Sequence, residues 1–287
     1  MPLSQEQIDD VFNSFGGEQA YHDERKGRGN GNGHRKGRRS FTLKPFDTIK
    51  LSTAPNYLVK GVLPRAGLAV VWGPPKCGKS FWTYDLMMHV VLGQEYRGRR
   101  VQQGPVVYCA LEGGQGFAGR VEAWRRRHLS EHEGGPVPFW LLDVPLDLVA
   151  DHPSLIEAIR LQLVDGPPPA AIVIDTLNRA LVGDENKSDD MAKLIRAADL
   201  LRAAFGCLIV LVHHCGVAGS RPRGHTSLAG ADDVQLAVER DKDSGNITIT
   251  IEHMKDGDAS APMASKLERI DLGTDDDGDP ITSCVRT

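Results

Sequence analysis

The chain has 287 residues, of which 40% are hydrophobic and 25% charged, with a formal net charge of −4 at pH 7. This is enough for one large α/β domain with an apolar core. No apolar stretch is long enough to span a bilayer, and the first residues lack a secretory signal, so no membrane partner is expected. The five cysteines have no metal-ligand spacing and are typical of reduced thiols in a cytoplasmic protein.

The first 40 residues are predicted to form a disordered tail. Asp23–Ser40 is rich in glycine and basic residues and nearly free of apolar side chains, so it cannot bury enough surface to offset the entropy of ordering. Two interpretations stay open: a solubilising tail, or a tether that binds nucleic acid by neutralising phosphates. The folded domain is expected to span residues 41–287.

A phosphate-binding loop follows the first strongly apolar run. Residues 73–80 read GPPKCGKS and match the pattern G-x-x-x-x-G-K-[ST]. They lie between a predicted buried strand, residues 68–72, and a predicted helix, Phe81–Leu92, which is the setting that this motif requires. Backbone amides and the helix N-terminus would point at phosphates, Lys79 would reach the β/γ-phosphates, and Ser80 would help hold Mg²⁺. The predicted nucleotide-binding residues are Gly73, Pro74, Pro75, Lys76, Cys77, Gly78, Lys79, Ser80 and Phe81.

Strand and helix signals alternate in the next part of the chain. The apolar runs are continuous rather than alternating, which indicates strands covered on both faces and hence a mainly parallel sheet. Strands are predicted at Val106–Leu111, Phe139–Leu142, Ala170–Asp175 and Cys207–His213. Helices are predicted at Gly116–His128 and Ser154–Leu163, and between Asp189 and Phe205 with a stop at Gly206.

The pattern changes after Gly230. Val234–Val238, Asn246–Glu252 and Ala264–Leu272 follow one another without intervening helices, and a turn signal, Asp-Ser-Gly-Asn, separates the first two. The acidic stretch Asp275–Asp279 is expected to be a turn. The predicted fold class is therefore α/β, with a mainly parallel sheet flanked by helices and antiparallel strands at its C-terminal end.

Three polar side chains stand at the ends of predicted parallel strands. Asp175 ends the strand AAIVID and suits Mg²⁺ or its water shell, although it could instead cap a helix. Glu112 follows the strand VVYCAL and could deprotonate an attacking water, although it could be a surface residue. His214 could contact the γ-phosphate, whereas His213 is expected to be a core histidine.

This ordered set of residues resembles the RecA-like core of P-loop ATPases. Within that group the chain most resembles RepA-type and DnaB-like hexameric replicative helicases and the related phage- and plasmid-borne AAA ATPases. The resemblance covers roughly residues 41–287. Besides the phosphate loop, it rests on Tyr57–Pro64, Asp175–Arg179, Arg223–Leu228 and Glu252–Gly257.

The resemblance implies ATP as the nucleotide and Mg²⁺ as the metal. It implies Lys79 and Ser80 as ligands of the phosphates and the metal, and Asp175 as the metal-shell acid. It further implies Glu112 as the catalytic base and His214 as a sensor of the γ-phosphate.

The resemblance also implies residues that act between subunits or on DNA. Lys255 stands where DnaB-like helicases carry an arginine finger that reaches a neighbour's site, although it could be a solvated hairpin lysine. The loops Val182–Ser188 and Val217–Arg223 match those that line a central channel, which makes Arg221 and Arg223 candidates for DNA-phosphate contacts. Arg223 could instead face the nucleotide.

The function predicted from these features is an ATP-hydrolysing motor that binds DNA, expected to be single-stranded, and works as a homo-oligomer, expected to be a hexamer. Its expected role is that of a replicative helicase or translocase of phage, plasmid or prophage origin. Three alternatives stay open. They are a recombination or repair ATPase that binds DNA without unwinding it, a small-molecule P-loop kinase, and a nucleotide-gated binding module with negligible turnover.

Overall fold

The structure is a computed structural model. It describes residues 42–129, 135–216, 221–255, 257 and 260–287, and the predicted basic tail, residues 1–40, lies outside these ranges. The chain divides into two units, Met1–Thr53 and Ala54–Thr287. In the first unit, the described part contains a short 3-10 helix, Phe46–Thr48. No helix in the described ranges is both long enough and apolar enough to cross a membrane.

The second unit contains the strands and α-helices that the structure describes. The strands are β1 (Tyr57–Val59), β2 (Leu63–Pro64), β3 (Gly67–Gly73), β4 (Val106–Ala110), β5 (Phe139–Leu142), β6 (Ala171–Asp175), β7 (Leu208–His214), β8 (Val234–Arg240), β9 (Ile247–Met254), β10 (Met263–Ser265), β11 (Leu267–Thr274) and β12 (Pro280–Arg286). The α-helices are α1 (Lys79–Leu92), α2 (Phe117–His128), α3 (Leu148–Gln162), α4 (Leu177–Ala180), α5 (Ser188–Phe205) and α6 (Ser227–Ala231).

An eight-stranded sheet is the centre of this unit, with the strand order β10-β9-β8-β3-β7-β6-β4-β5. The strands from β8 to β5 run parallel to their neighbours, whereas β9 and β10 are antiparallel. Every residue of β3, β4 and β6 is buried, as continuous apolar runs predict for strands covered on both faces. The predicted fold class is therefore confirmed.

Two apolar layers cover the two faces of the sheet. Successive side chains of a strand point to opposite faces. Ala69 and Val71 of β3 accordingly pack with residues of α1 and α2, whereas Val70 and Trp72 pack with residues of α3 and α5. The polar ends of the strands are thereby held on a rigid base between two helical layers.

Helix α3 begins earlier than its sequence pattern predicts, at Leu148 instead of Ser154. The Asp147 side chain caps it by accepting a hydrogen bond from the Val149 amide at 3.0 Å. Pro153 lies inside the helix and has no amide to donate to the Val149 carbonyl, which instead accepts a hydrogen bond from His152 Nδ1 at 3.0 Å.

The prediction of a single strand at Ala264–Leu272 is wrong, because the structure has two separate strands there, one on each side of Lys266. Strand β10 pairs with β9 at the edge of the large sheet, while β11 forms a separate hairpin with β12, a strand that was not predicted. Arg286 anchors this hairpin: it is 4% exposed and donates hydrogen bonds to the Tyr96 hydroxyl and, at 2.5 Å, to Ser265 Oγ. The expected turn at Asp275–Asp279 joins the two strands.

Candidate functional site

The candidate site lies at the carboxyl ends of four adjacent parallel strands. In the sheet these strands follow the order β3, β7, β6 and β4. Gly73 at the end of β3 is in register with His214 of β7, and Asp175 at the end of β6 is in register with Ala110 of β4, two residues before Glu112. Side chains that are far apart in the sequence thus meet at one edge of the sheet, where α/β proteins bind ligands.

The phosphate loop requires glycine at two positions. Gly73 has a φ of 158°, and a Cβ there would lie 2.1 Å from the carbonyl oxygen of Val238. Gly78 has a φ of 103°, and its Cβ would lie 2.6 Å from Ile247 Cδ1. At Gly73 a side chain would meet the backbone of β8, and at Gly78 the left-handed backbone disfavours any residue with a Cβ, so both positions favour glycine just before helix α1 begins at Lys79.

Lys79 is the buried cation of the loop. Its side-chain amine donates hydrogen bonds to the carbonyl oxygens of Gly73, at 2.9 Å, and Pro74, at 2.8 Å. Burial raises the pKa of the neighbouring Cys77 thiol, although the charge of Lys79 lowers it in part, so Cys77 stays protonated. Cys77 therefore adds no negative charge to the loop, and Lys79 can attract a phosphate. Phe81 carries the guanidinium of Arg120 over its ring, 4.7 Å from the centroid.

Asp175 is a buried carboxylate with two hydrogen-bond donors. Ser80 Oγ donates to Oδ1 at 3.1 Å, and the Tyr108 hydroxyl donates to Oδ2 at 2.7 Å. Burial raises the pKa of the Asp175 carboxyl, and these two hydrogen bonds lower it again in part. A serine hydroxyl beside a carboxylate, both hard oxygen donors, fits a Mg²⁺ ion that completes its shell with water and phosphate oxygens.

Glu112 is the accessible carboxylate of the site, since 46% of its side chain is exposed. Thr176 Oγ1 donates a hydrogen bond to Glu112 Oε2 at 3.1 Å, and the Glu112 amide donates to the Asp175 carbonyl at 3.3 Å. His214 Nε2 lies 3.6 Å from the same Oε2, just beyond hydrogen-bond distance. The Glu112 carboxylate is therefore oriented by its neighbours and exposed enough to accept a proton from a molecule that enters the site.

A second polar cluster joins the loops that follow β6 and β7. Glu185 is 4% exposed and forms an ion pair with Arg223 through Oε1, while its Oε2 accepts a hydrogen bond from Asn178 at 3.1 Å. His213 Nε2 donates to the Arg223 carbonyl at 2.8 Å, and burial lowers the pKa of this imidazole, as expected for a core histidine.

Of the two predicted DNA-contacting arginines, Arg221 is exposed. Arg223 forms an ion pair with Glu185, although 52% of the Arg223 side chain is exposed. Residues 217–220 of the predicted second channel loop lie outside the described ranges.

Lys255 lies near the amino-terminal end of β3, whereas the phosphate loop follows the carboxyl end of the same strand. Its amide donates to the Asp233 carbonyl, its amine is 3.7 Å from Asp233 Oδ1, and Asp233 Oδ2 accepts from the Leu68 amide. Strand β3 rises about 3.3 Å per residue, so Leu68 and Gly73 are about 17 Å apart. Lys255 therefore does not reach the site of its own subunit, and part of the hairpin expected around it, residues 256, 258 and 259, is not described.

Sequence reasoning missed four residues that the structure places around these side chains: Tyr108, Thr176, Arg120 and Glu185. Tyr108 lies inside an apolar run that predicts a buried strand, and its hydroxyl adds no pattern of its own. Thr176 had a signal, since it directly follows Asp175 and has a short polar side chain. Glu185 meets Arg223 only because two loops from distant parts of the sequence fold together, and a local sequence pattern does not reveal such a contact.

One family model and two solved structures are similar to this chain. A family model described as an AAA domain matches residues 40–220. The crystal structure of the RadB recombinase is similar with a TM-score of 0.51 and 16% identity, covering 72% of this chain and 90% of that chain. A KaiC-like protein from Pyrococcus horikoshii OT3 is similar with a TM-score of 0.49 and 14% identity, covering 79% of this chain and 93% of that chain. At this level of identity, the similarity to RadB shows the fold alone.

Proposed function

The chain belongs to the AAA domain family, and on that premise we propose that it is a RecA-like ATPase that hydrolyses ATP in a DNA-dependent manner. The observation that carries the proposal is the position of Glu112. It is accessible, oriented by Thr176, and beside the pair formed by Ser80 and Asp175 at the same edge of the sheet. A site that only binds nucleotide does not need an oriented, accessible carboxylate.

Each residue of the site has a role in this reaction. The amides of the phosphate loop and the Lys79 amine bind the β/γ-phosphates, replacing the loop carbonyls that Lys79 contacts now. Glu112 accepts a proton from the attacking water as the water oxygen bonds to the γ-phosphorus and the bond from that phosphorus to the β,γ-bridging oxygen breaks, which releases ADP and phosphate. Ser80 and Asp175 would hold Mg²⁺, which supplies charge neutralisation of the phosphate oxygens.

We further propose that the ATPase is a replicative helicase or translocase that works as a ring, with single-stranded DNA as its polymer. The support is the resemblance of its two loops to channel-lining loops, and the exposed Arg221 on one of them. The place of Lys255 also supports an oligomer. A cation that lies far from its own phosphate loop can contribute to hydrolysis only at a neighbour's site, so we propose that it acts there.

A recombination or repair ATPase that binds DNA without unwinding it is the second candidate. It would use the same nucleotide site, so the two differ only in what hydrolysis does to the DNA. The small-molecule kinase is disfavoured by the antiparallel strands β9 and β10 at the sheet edge, which are typical of RecA-like cores rather than of such kinases.

The test is the ATPase rate of the full chain with and without single-stranded DNA, followed by a strand-displacement assay. DNA stimulation is expected for the motor and for the recombinase, and strand displacement only for the motor. Lys79→Ala should lose turnover because it removes the cation of the phosphate loop. Unchanged turnover in Lys79→Ala, or a wild type that hydrolyses no ATP under any of these conditions, would refute the proposal.

A further inference from the structure

Tyr108 is a buried phenol whose hydroxyl meets the candidate metal site. It lies in the middle of β4, is 0% exposed, and donates a 2.7 Å hydrogen bond to Asp175 Oδ2 on the neighbouring strand β6. A phenylalanine would fill almost the same volume. Placing a hydroxyl in an apolar core costs free energy unless it is hydrogen-bonded, so the volume of the ring alone does not account for tyrosine here.

The surrounding aromatic rings fix the direction of this hydroxyl. The Tyr108 ring centroid lies 5.0 Å from that of Phe117, 6.0 Å from that of Phe139 and 6.3 Å from that of Tyr84. Contacts on several sides leave the ring little freedom to swing, so the donor reaches Asp175 in one geometry.

The two carboxylate oxygens of Asp175 thus have different hydrogen-bond donors. Oδ1 faces Ser80, the other residue that would hold Mg²⁺, whereas Oδ2 is held from behind by Tyr108. A carboxylate with one oxygen fixed cannot rotate freely about its Cβ–Cγ bond. Groups that orient a metal-binding carboxylate in this way raise metal affinity without contacting the metal.

We propose that Tyr108 is a positioning residue that holds Oδ2 of Asp175 so that Oδ1 stays directed at the Mg²⁺ of the nucleotide complex. The inference rests on the proposed function, because it assumes that Mg²⁺–ATP is bound at the phosphate loop. Its effect is on metal affinity, and the proposed base Glu112 and its hydrogen-bond partner Thr176 remain unchanged.

The test compares Tyr108→Phe with a matched control, Tyr84→Phe. Tyr84 belongs to the same aromatic cluster, and its hydroxyl forms no hydrogen bond with the residues that the structure describes. Binding of Mn²⁺ to the full chain with a non-hydrolysable ATP analogue is measured by electron paramagnetic resonance. The Mg²⁺ concentration for half-maximal ATPase activity is measured in parallel.

Tyr108→Phe should weaken Mn²⁺ binding by about 10- to 100-fold, the usual cost of losing a group that orients a metal ligand. It should raise the half-maximal Mg²⁺ concentration similarly, while kcat at saturating Mg²⁺ and binding of the metal-free analogue change little. Tyr84→Phe should match the wild type in all four measurements. Equal Mn²⁺ affinity in wild type and Tyr108→Phe, or an equal loss in Tyr84→Phe, would overturn the positioning role.

If Tyr108→Phe does not fold, 2,3,5-trifluorotyrosine at position 108 replaces it. This residue keeps the ring and the hydroxyl but changes the donor strength, so a shifted Mn²⁺ affinity supports the proposal and an unshifted one overturns it. The proposed function has its own control in the same experiment. A wild type that binds no Mn²⁺ with the analogue refutes Mg²⁺–ATP binding itself, whereas wild-type binding with no effect of Tyr108→Phe refutes only the role of Tyr108.

Discussion

The candidate nucleotide site and the two loops that follow β6 and β7 are built in different ways. In the site, the loop 73–80 is contiguous in the sequence, and its glycine conformations and strand-end position define where Lys79 and Ser80 lie. In the loops, a buried glutamate and an arginine from different segments, Glu185 and Arg223, form the contact that holds the region together.

This difference separates two kinds of functional residue. At the nucleotide site, Glu112 and Lys79 sit where a ligand can meet them. In the loops, the charge of Arg223 is already matched by Glu185, whereas Arg221 is exposed and can meet a phosphate chain. The site is therefore expected to respond to substitution in its chemistry, and the loops in their stability and DNA binding.

The largest effect is expected at Glu112. Glu112→Gln keeps the shape and the Thr176 contact but removes the base, so ATP hydrolysis should fall by about 10²–10⁴-fold. Binding of a fluorescent ATP analogue with Mg²⁺ should be close to that of the wild type. Single-turnover hydrolysis and equilibrium binding measure the two quantities separately.

Glu157→Gln is the matched control, because it makes the same chemical change on helix α3, away from the site. It should leave both quantities unchanged. If Glu112→Gln retains most of its rate, another group activates the water and Glu112 has lost its assigned role.

The positions of the residues of the candidate nucleotide site could be predicted because their signals are local or fixed by topology. The phosphate loop is one contiguous motif, and the carboxyl ends of parallel strands must meet at one edge, which brings Asp175, Glu112 and His214 together. The orienting contact of Tyr108 was not predictable, because a hydroxyl within an apolar strand has the same pattern whether or not it meets a carboxylate. Thr176 had a signal only in its position directly after Asp175.

The parts of the fold that the sequence did not predict depend on distant partners. Strand β12 is exposed at its first three residues and has no strong alternation, and it is held in place by Arg286, which contacts Tyr96 and Ser265. The early start of α3 had a local signal in Asp147, which the apolar periodicity outweighed.

Lys255 should contribute to hydrolysis between subunits, with a smaller effect than Glu112. It lies away from its own phosphate loop and pairs with Asp233, leaving 66% of its side chain exposed. Lys255→Ala should bind ATP and oligomerise but lose most of the DNA-stimulated turnover, because a neighbour's transferring phosphate loses a stabilising cation. Steady-state ATPase rates with single-stranded DNA measure the loss.

Mixing subunits decides whether Lys255 acts in trans. Rings that combine Lys255→Ala with Lys79→Ala contain interfaces with one intact copy of each residue, so part of the activity should return. Lys242→Ala, in the exposed turn between β8 and β9, is the control for loss of a surface cation and should be fully active. Mixed oligomers that recover nothing, or a fully active Lys255→Ala, would leave Lys255 as a solvated lysine.

The smallest effects are expected in the loops, and they separate the two arginines. Arg223→Ala leaves the Glu185 carboxylate buried without its cation, which should lower the free energy of unfolding by about 1–3 kcal/mol. Arg221→Ala should change it by less than about 0.5 kcal/mol. It should instead weaken binding of single-stranded DNA and make the log–log salt dependence shallower by about 0.7. Urea unfolding and salt-dependent anisotropy measure these changes.

The double variant Arg223→Ala/Glu185→Gln tests the cause of the instability. A neutral glutamine at position 185 can keep the contact with Asn178 and removes the uncompensated charge, so much of the lost stability should return. If Arg223→Ala is as stable as the wild type and weakens DNA binding as Arg221→Ala does, then Arg223 is a DNA-contacting residue. The two loops would then be built for ligand contact as directly as the nucleotide site is.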